Sequence, residues 1–218
     1  MTAMDGRRPM FANIDDYLGD GATRFFGAGY RSAEYQIRDV IVSPARHEAT
    51  DPAGRADRPA VRASVTVRYP RDWSTKAENI DLRPHLSSID TLLLGVQLGE
   101  AYLAHALGAD EDVRARARLR RVTLQAGTEP QEDLTDLPAV AVLSRSETVQ
   151  EEPDLVRSVF DCRIGAMRSR CEIEHERLEP PGGTARPDAG AYPTIDDVLG
   201  PPDTRYYGDG FRFRRLLI

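Results

Sequence analysis

The sequence predicts an α+β domain in which an antiparallel sheet wraps one long central helix. Three observations predict it. First, residues 61–69 alternate strictly, with Val61, Ala63, Val65, Val67 and Tyr69 on one side and Arg62, Ser64, Thr66 and Arg68 on the other. That is the period of a half-buried strand. Second, residues 88–107 are apolar nearly all round: Ile89, Leu92, Leu93, Leu94, Val96, Leu98, Ala101, Tyr102, Leu103, Ala104 and Leu107. A helix of that kind belongs inside a protein. Third, only strand-like runs follow it, so a single helix has to serve a whole sheet.

The elements follow in order. Residues 1–12 read as a loose terminus. Residues 14–18 fit one helical turn, stopped by Gly19 and Gly21. Residues 24–30 are aromatic and glycine-rich, which suits a turn and strand with close backbone approach. Residues 35–43 alternate as a strand, 45–59 form a polar loop, and Pro70 ends the strand that starts at Val61. The loop that follows holds the single tryptophan, Trp73. At about twenty residues the helix spans ~30 Å, and Gly108 is placed to cap its end. Strand-like runs cover 115–125, 137–144, 155–164 and 168–178. Arg116, Arg118 and Arg120 alternate with Ala115, Ala117 and Leu119, as Glu172, Glu174 and Glu176 do with Cys171, Ile173 and His175. Both patterns suit half-solvated antiparallel strands. Strand, strand, buried helix and then several antiparallel strands is the order of a hot-dog fold, whose members commonly pair as dimers or tandem repeats to cover their edges.

An internal repeat points to the tandem form. IDDYLGDGATRFFGAGYR (14–31) and IDDVLGPPDTRYYGDGFR (195–212) match at 10 of 18 positions without gaps, 181 residues apart. Three further positions exchange Phe and Tyr. That spacing is too long for a solenoid unit and fits a duplicated domain. The expected division is a hot-dog-like domain over 14–180, a Gly/Pro/Ala linker over 181–193, and a partial second repeat over 194–218.

Composition narrows the function classes. A net charge of −6 argues against nucleic acid as the main partner. No run approaches the ~18 apolar residues of a membrane span. The first 30 residues lack the apolar core segment of a signal sequence, and two cysteines, Cys162 and Cys171, fit free thiols in a reducing compartment; the expected location is cytoplasmic. No histidine pair has zinc-ligand spacing, so neither a metal nor another cofactor is expected.

Candidate chemistry concentrates around the helix. In PHLSSID (84–90), His85 suits a general acid or base near neutral pH, with Asp90 as its acidic partner. Ser87 and Asp90 also fit a capping box, in which the carboxylate ties off backbone N–H groups. Gln97 and Glu100 are polar positions inside the apolar helix and face a pocket if their polar ends are to be used. His105 sits where it would satisfy the helix C-terminal dipole, and His175 reads as a satisfied core histidine. The loop YPRDWSTK (69–76) places Arg71, Trp73 and Lys76 together; it suits recognition of an anionic group, or a turn anchored by Trp73. Arg24 and Arg205, present in both motif copies, suit an anion or an aspartate of their own motif. The motif glycines lack dinucleotide-loop spacing.

RFFGAGY, YPRDWSTK and PHLSSID together resemble the avirulence D family of bacterial proteins. The resemblance covers most of residues 14–178 and the second copy of the opening motif. It implies the making of syringolide- or butyrolactone-type products from a β-ketoacyl precursor. The expected activity is acyl transfer from an acyl-carrier or coenzyme A thioester to a small hydroxylated or phosphorylated acceptor. His85 would take the acceptor's proton, Asp90 would orient His85, Arg71 or Lys76 would hold a phosphate, and the buried helix would line an acyl tunnel with Leu93, Val96 or Gln97. A homodimer, or pairing with a second hot-dog unit, is expected. The rival readings are a β-hydroxyacyl thioester dehydratase using the same pair, and a non-catalytic binding or assembly module.

Overall fold

Alternating β-branched and polar residues build the sheet, and one apolar helix packs against it. The computed structural model describes residues 33–44, 58–70, 83–178 and 188–200. The chain divides into two units, 1–33 with 69–84 and 34–68 with 85–218. Of the first, only residues 33, 69, 70, 83 and 84 are described. In the second, the strands are β1 (Glu34–Ser43), β2 (Ala60–Arg68), β3 (Arg118–Gln125), β4 (Leu137–Thr148), β5 (Leu155–Ile164), β6 (Met167–Glu176) and β7 (Gly190–Thr194). The helices are α1 (Ser88–Leu107), α2 (Glu111–Arg116) and α3 (Asp196–Leu199). The strands form one antiparallel sheet in the order β3-β6-β5-β4-β2-β1-β7.

The all-apolar reading of residues 88–107 is borne out. Leu93, Leu94, Leu98, Ala101, Tyr102 and Leu103 are buried, and α1 packs on the sheet, most extensively against β5 and β6. Two glycines allow that approach. A Cβ at Gly99 would lie 3.0 Å from Ile173 and 3.3 Å from Phe160. One at Gly95 would lie 3.1 Å from Ser169 Oγ. Tyr102 meets the Phe160 ring edge-on at 5.7 Å. Gly108 ends the helix in the left-handed region at φ 70°, the conformation in which glycine pays no Cβ penalty.

The expected strand over 115–125 needs a correction at its start. Residues 111–116 are helical, and β3 begins at Arg118. The local reason is capping. The Asp110 carboxylate accepts from Val113 N–H at 2.8 Å, acids at 111 and 112 sit in the first turn, and Arg114 and Arg116 sit in the last; that charge order complements the helix dipole. The β4 strand also runs further than expected, to Thr148, past an irregularity between Leu143 and Arg145. In β1 a bulge between Arg38 and Ile41 puts Asp39 at φ 52°. Aspartate tolerates that conformation better than a β-branched residue does.

The second motif copy begins beside the sheet. Just before it, β7 pairs antiparallel with β1, from Arg38↔Thr194 to Val42↔Gly190. Ile195 N–H donates to Ile37 O at 3.1 Å, and Ile195 is buried. Asp197 of the motif accepts from both the N–H and the hydroxyl of Thr194 at 2.8 Å. His105 does more than face the helix dipole. Its Nε2 lies 2.8 Å from Asp188 O and its Nδ1 lies 2.6 Å from Tyr192 Oη. Since a carbonyl only accepts, Nε2 carries a proton; in the neutral ring Nδ1 then accepts from the tyrosine hydroxyl. Gly190 lies over the same ring, where a Cβ would come within 2.6 Å of His105 Cε1.

Candidate functional site

The start of α1 is built by a reciprocal cap. Asp90 N–H donates to Ser87 Oγ at 3.1 Å, and Ser87 N–H donates to Asp90 Oδ2 at 2.8 Å. The other carboxylate oxygen, Oδ1, accepts from Tyr35 Oη of β1 at 2.6 Å. Thr91 Oγ1 adds a bond to Ser87 O at 2.9 Å. Asp90 is completely buried. The capping reading of Ser87 and Asp90 therefore describes the local geometry, and Tyr35 is the residue that the sequence pattern missed. Its only signal was an aromatic at a strand position. His85, two residues before the cap, is exposed. Leu86 N–H donates to Gln131 O at 2.9 Å, which fixes this entry segment against the loop before β4.

Gln97 lies two and a half turns into α1 and is 3% exposed. Its Nε2 has no hydrogen-bond partner among the described residues. An amide donor in that state costs about 1–3 kcal/mol, so it is the one candidate whose geometry calls for an acceptor from outside the described residues. Arg24, Arg71, Trp73 and Lys76 lie outside the described residues.

A second polar group lies under the helix, on the inner face of β5 and β6. Ser158 Oγ is 2.9 Å from His175 Nε2, and His175 Nδ1 is 2.8 Å from Glu176 O. The carbonyl fixes the proton on Nδ1, so Nε2 accepts from the serine. Burial lowers the His175 pKa, which keeps the ring neutral, as the reading of a satisfied core histidine requires. Further along, Cys162, Ser169 and Cys171 are buried together. Both cysteines are free thiols. The neighbouring Cys171, and then burial, hold the Cys162 thiol well above the ordinary thiol range, which makes it a poor nucleophile. Among the described residues Ser169 Oγ has no hydrogen-bond partner within the usual distance.

The outer face of β3, β6, β5 and β4 is charged. Glu174, 5% exposed on this face, accepts from Arg157 Nη2 at 2.6 Å and lies 3.0 Å from Arg120 Nε. Arg170 reaches Asp161 at 2.6 Å, and Arg145 reaches Glu147 at 3.5 Å. Among the described residues there is no group of three or more His, Cys, Asp or Glu that could hold a metal ion, and no helix is long and apolar enough to cross a membrane.

A family model described as Pseudomonas avirulence D protein (AvrD) matches residues 9–218. The chain therefore belongs to the AvrD family, and the resemblance carried by its three motifs is borne out. Membership implies a role in syringolide-type secondary-metabolite synthesis. No curated protein and no solved structure matches.

Proposed function

We propose that this chain transfers the acyl group of a β-ketoacyl thioester to a small hydroxylated or phosphorylated acceptor, on the way to a butyrolactone- or syringolide-type product. The observation that carries the reading is the Gln97 amide. It is a buried donor, unpartnered among the described residues, on the helix whose entry segment bears an exposed histidine. An acyl carbonyl is the acceptor that such a donor lacks. His85 takes the acceptor's hydroxyl proton as the oxygen attacks the thioester carbonyl. The C–O bond forms, the C–S bond breaks, and the proton passes to the departing thiolate. Asp90 acts as a positioning residue, since its oxygens hold the cap that sets the start of the helix. Arg71 or Lys76 is assigned to the acceptor's phosphate, with Trp73 and Arg24 as further substrate-binding residues.

The architecture is read as a hot-dog fold, since a single buried helix inserted between β2 and β3 serves the whole sheet. Residues 14–180 are read as one unit, and 194–218 as the opening of another. A dimer or a pairing of two such units, in the cytoplasm, completes the proposal.

Mass spectrometry tests it. The chain is incubated with a β-ketoacyl thioester, with and without triose and pentulose phosphates, beside His85→Ala and Gln97→Leu variants. An acceptor-dependent ester that His85→Ala abolishes supports the reading. Water loss without acceptor would replace it with a dehydratase. No product from folded protein would replace it with a binding module.

A further inference from the structure

One row of the outer sheet face holds three arginines that no carboxylate answers. The register runs Arg62↔Val140 between β2 and β4, Val140↔Arg163 between β4 and β5, Arg163↔Arg168 between β5 and β6, and Arg168↔Gln125 between β6 and β3. Directly paired residues of an antiparallel sheet share a face. Cys162 and Ser169, the neighbours of Arg163 and Arg168, lie on the helix side, so this row faces away from α1. All three arginines are exposed, and no carboxylate among the described residues lies within 4.0 Å of any of them. Arg163 and Arg168 stand directly opposite each other, a like-charge pairing that weakens a sheet.

The rows on either side behave differently. Asp161 neutralises Arg170 at 2.6 Å, and Asp136 neutralises Arg38 at 3.1 Å. The uncompensated charge is therefore one row wide. At one strand spacing per step, it is about 14 Å long. A narrow line of guanidinium groups, within a chain of net charge −6, suits a small molecule with several phosphates. It suits a broad acidic protein surface less well, since on either side of the row the arginines are already paired, Arg170 with Asp161 and Arg38 with Asp136.

The row ends at the turn that reaches the α1 entry segment. Arg163 Nε donates to Gly165 O at 3.0 Å. A Cβ on Gly165 would lie 3.0 Å from Gln131 Oε1, and Gln131 O holds Leu86 N–H, next to His85.

We infer that Arg62, Arg163 and Arg168 bind the phosphates of a coenzyme A thioester. The diphosphate lies on the opposed Arg163–Arg168 pair, where two planar forks meet one anionic group, and the separate 3′-phosphate lies toward Arg62. The inference rests on the acyl-transfer reading and names the form in which the acyl group arrives.

Calorimetric titration of the full chain with coenzyme A, 3′-dephospho-coenzyme A and pantetheine tests it, beside an Arg163→Gln/Arg168→Gln variant and an Arg62→Gln variant. These positions are exposed, and circular dichroism confirms the fold. Coenzyme A is expected to bind at least tenfold more tightly than pantetheine. The double variant loses that advantage while leaving pantetheine unchanged, and Arg62→Gln narrows the gap between coenzyme A and its dephospho form. Coenzyme A binding that is absent, or equal in all proteins, overturns the inference. So does an acidic carrier protein whose binding, unlike that of coenzyme A, depends on the arginines. A phosphate-free N-acetylcysteamine thioester separates the two readings. Ester formation from it, with coenzyme A binding indifferent to the arginines, sinks the anion site alone. Arginine-dependent coenzyme A binding with no ester from either thioester sinks the transfer reading alone.

Discussion

Asp90→Ala tests whether the carboxylate at the start of α1 is structural. The side chain is fully buried and accepts from Ser87 N–H at 2.8 Å and Tyr35 Oη at 2.6 Å. Alanine removes both acceptors. Loss of a cap partner costs about 1 kcal/mol, and a buried donor left without an acceptor costs about 1–3 kcal/mol. Tyr35 regains part of its share by reaching water, so the expected total is about 3 kcal/mol. Asparagine keeps one acceptor oxygen and nearly the same shape; Asp90→Asn is expected to cost about 1–2 kcal/mol, since its NH₂ cannot accept from Ser87 N–H. Urea unfolding followed by far-ultraviolet circular dichroism reads the difference. With a slope of about 2 kcal/mol per molar, Asp90→Ala moves the midpoint down by about 1.5 M. A midpoint within about 0.25 M of the parent would refute the capping argument. An Asp90→Asn protein of parental stability that makes no ester would move Asp90 from positioning into the chemistry.

Four further outcomes follow. Burial lowers the His175 pKa below its unfolded value. Between the two values the unfolded chain binds a proton that the folded chain does not, so stability rises with pH there. The contribution is complete above about pH 6.5 and falls away as the pH drops toward the folded value; Ser158→Val, by releasing Nε2, should change the acid limb of a thermal-stability profile, and an identical limb would contradict the assignment. Phe160→Ala, at a fully buried position against Tyr102, is expected to cost about 3–5 kcal/mol in urea unfolding. Gly190→Ala would drive a methyl to within 2.6 Å of the His105 ring, so amide exchange is expected to quicken across residues 190–199 while β5 and β6 stay protected; exchange unchanged in both regions would show that the contact yields freely. Glu174→Gln leaves Arg157 and Arg120 without their shared carboxylate and is expected to lower stability by about 1–2 kcal/mol, since both arginines keep access to water; a loss that does not shrink in 0.5 M salt would argue against an electrostatic cause.

The sheet and helix were legible because each element repeats a simple period. The alternation of Val61, Val65 and Val67, the apolar run of α1, and the Ser87–Asp90 spacing are local patterns whose physical meaning does not depend on the rest of the chain. The misreading at 115–117 has the same root. Ala115, Arg116 and Ala117 satisfy a two-residue period as well as they satisfy one helical turn, and only the Asp110 cap decides between them. What stayed hidden arises between segments far apart in sequence. Tyr35 meets Asp90 across 55 residues, His105 meets Tyr192 across 87, and Ser158 meets His175 only because β5 and β6 pair in one register.

The arginine row carries that point furthest. Arg62, Arg163 and Arg168 are unremarkable surface residues in the sequence, and the other arginines of β5 and β6, Arg157 and Arg170, pair with Glu174 and Asp161. Registration across β2, β4, β5 and β6 lines them up and leaves their charge unanswered. A one-residue slip of β6 would turn Arg168 toward α1 and bring Ser169 out. The buried faces of Cys171 and Ile173 forbid that slip. The packing that fixes the core thus also fixes the outer charge pattern, so an anion site there comes at no further structural cost beyond the repulsion between Arg163 and Arg168. A bound phosphate would relieve that repulsion and stabilise the folded chain in proportion to its binding.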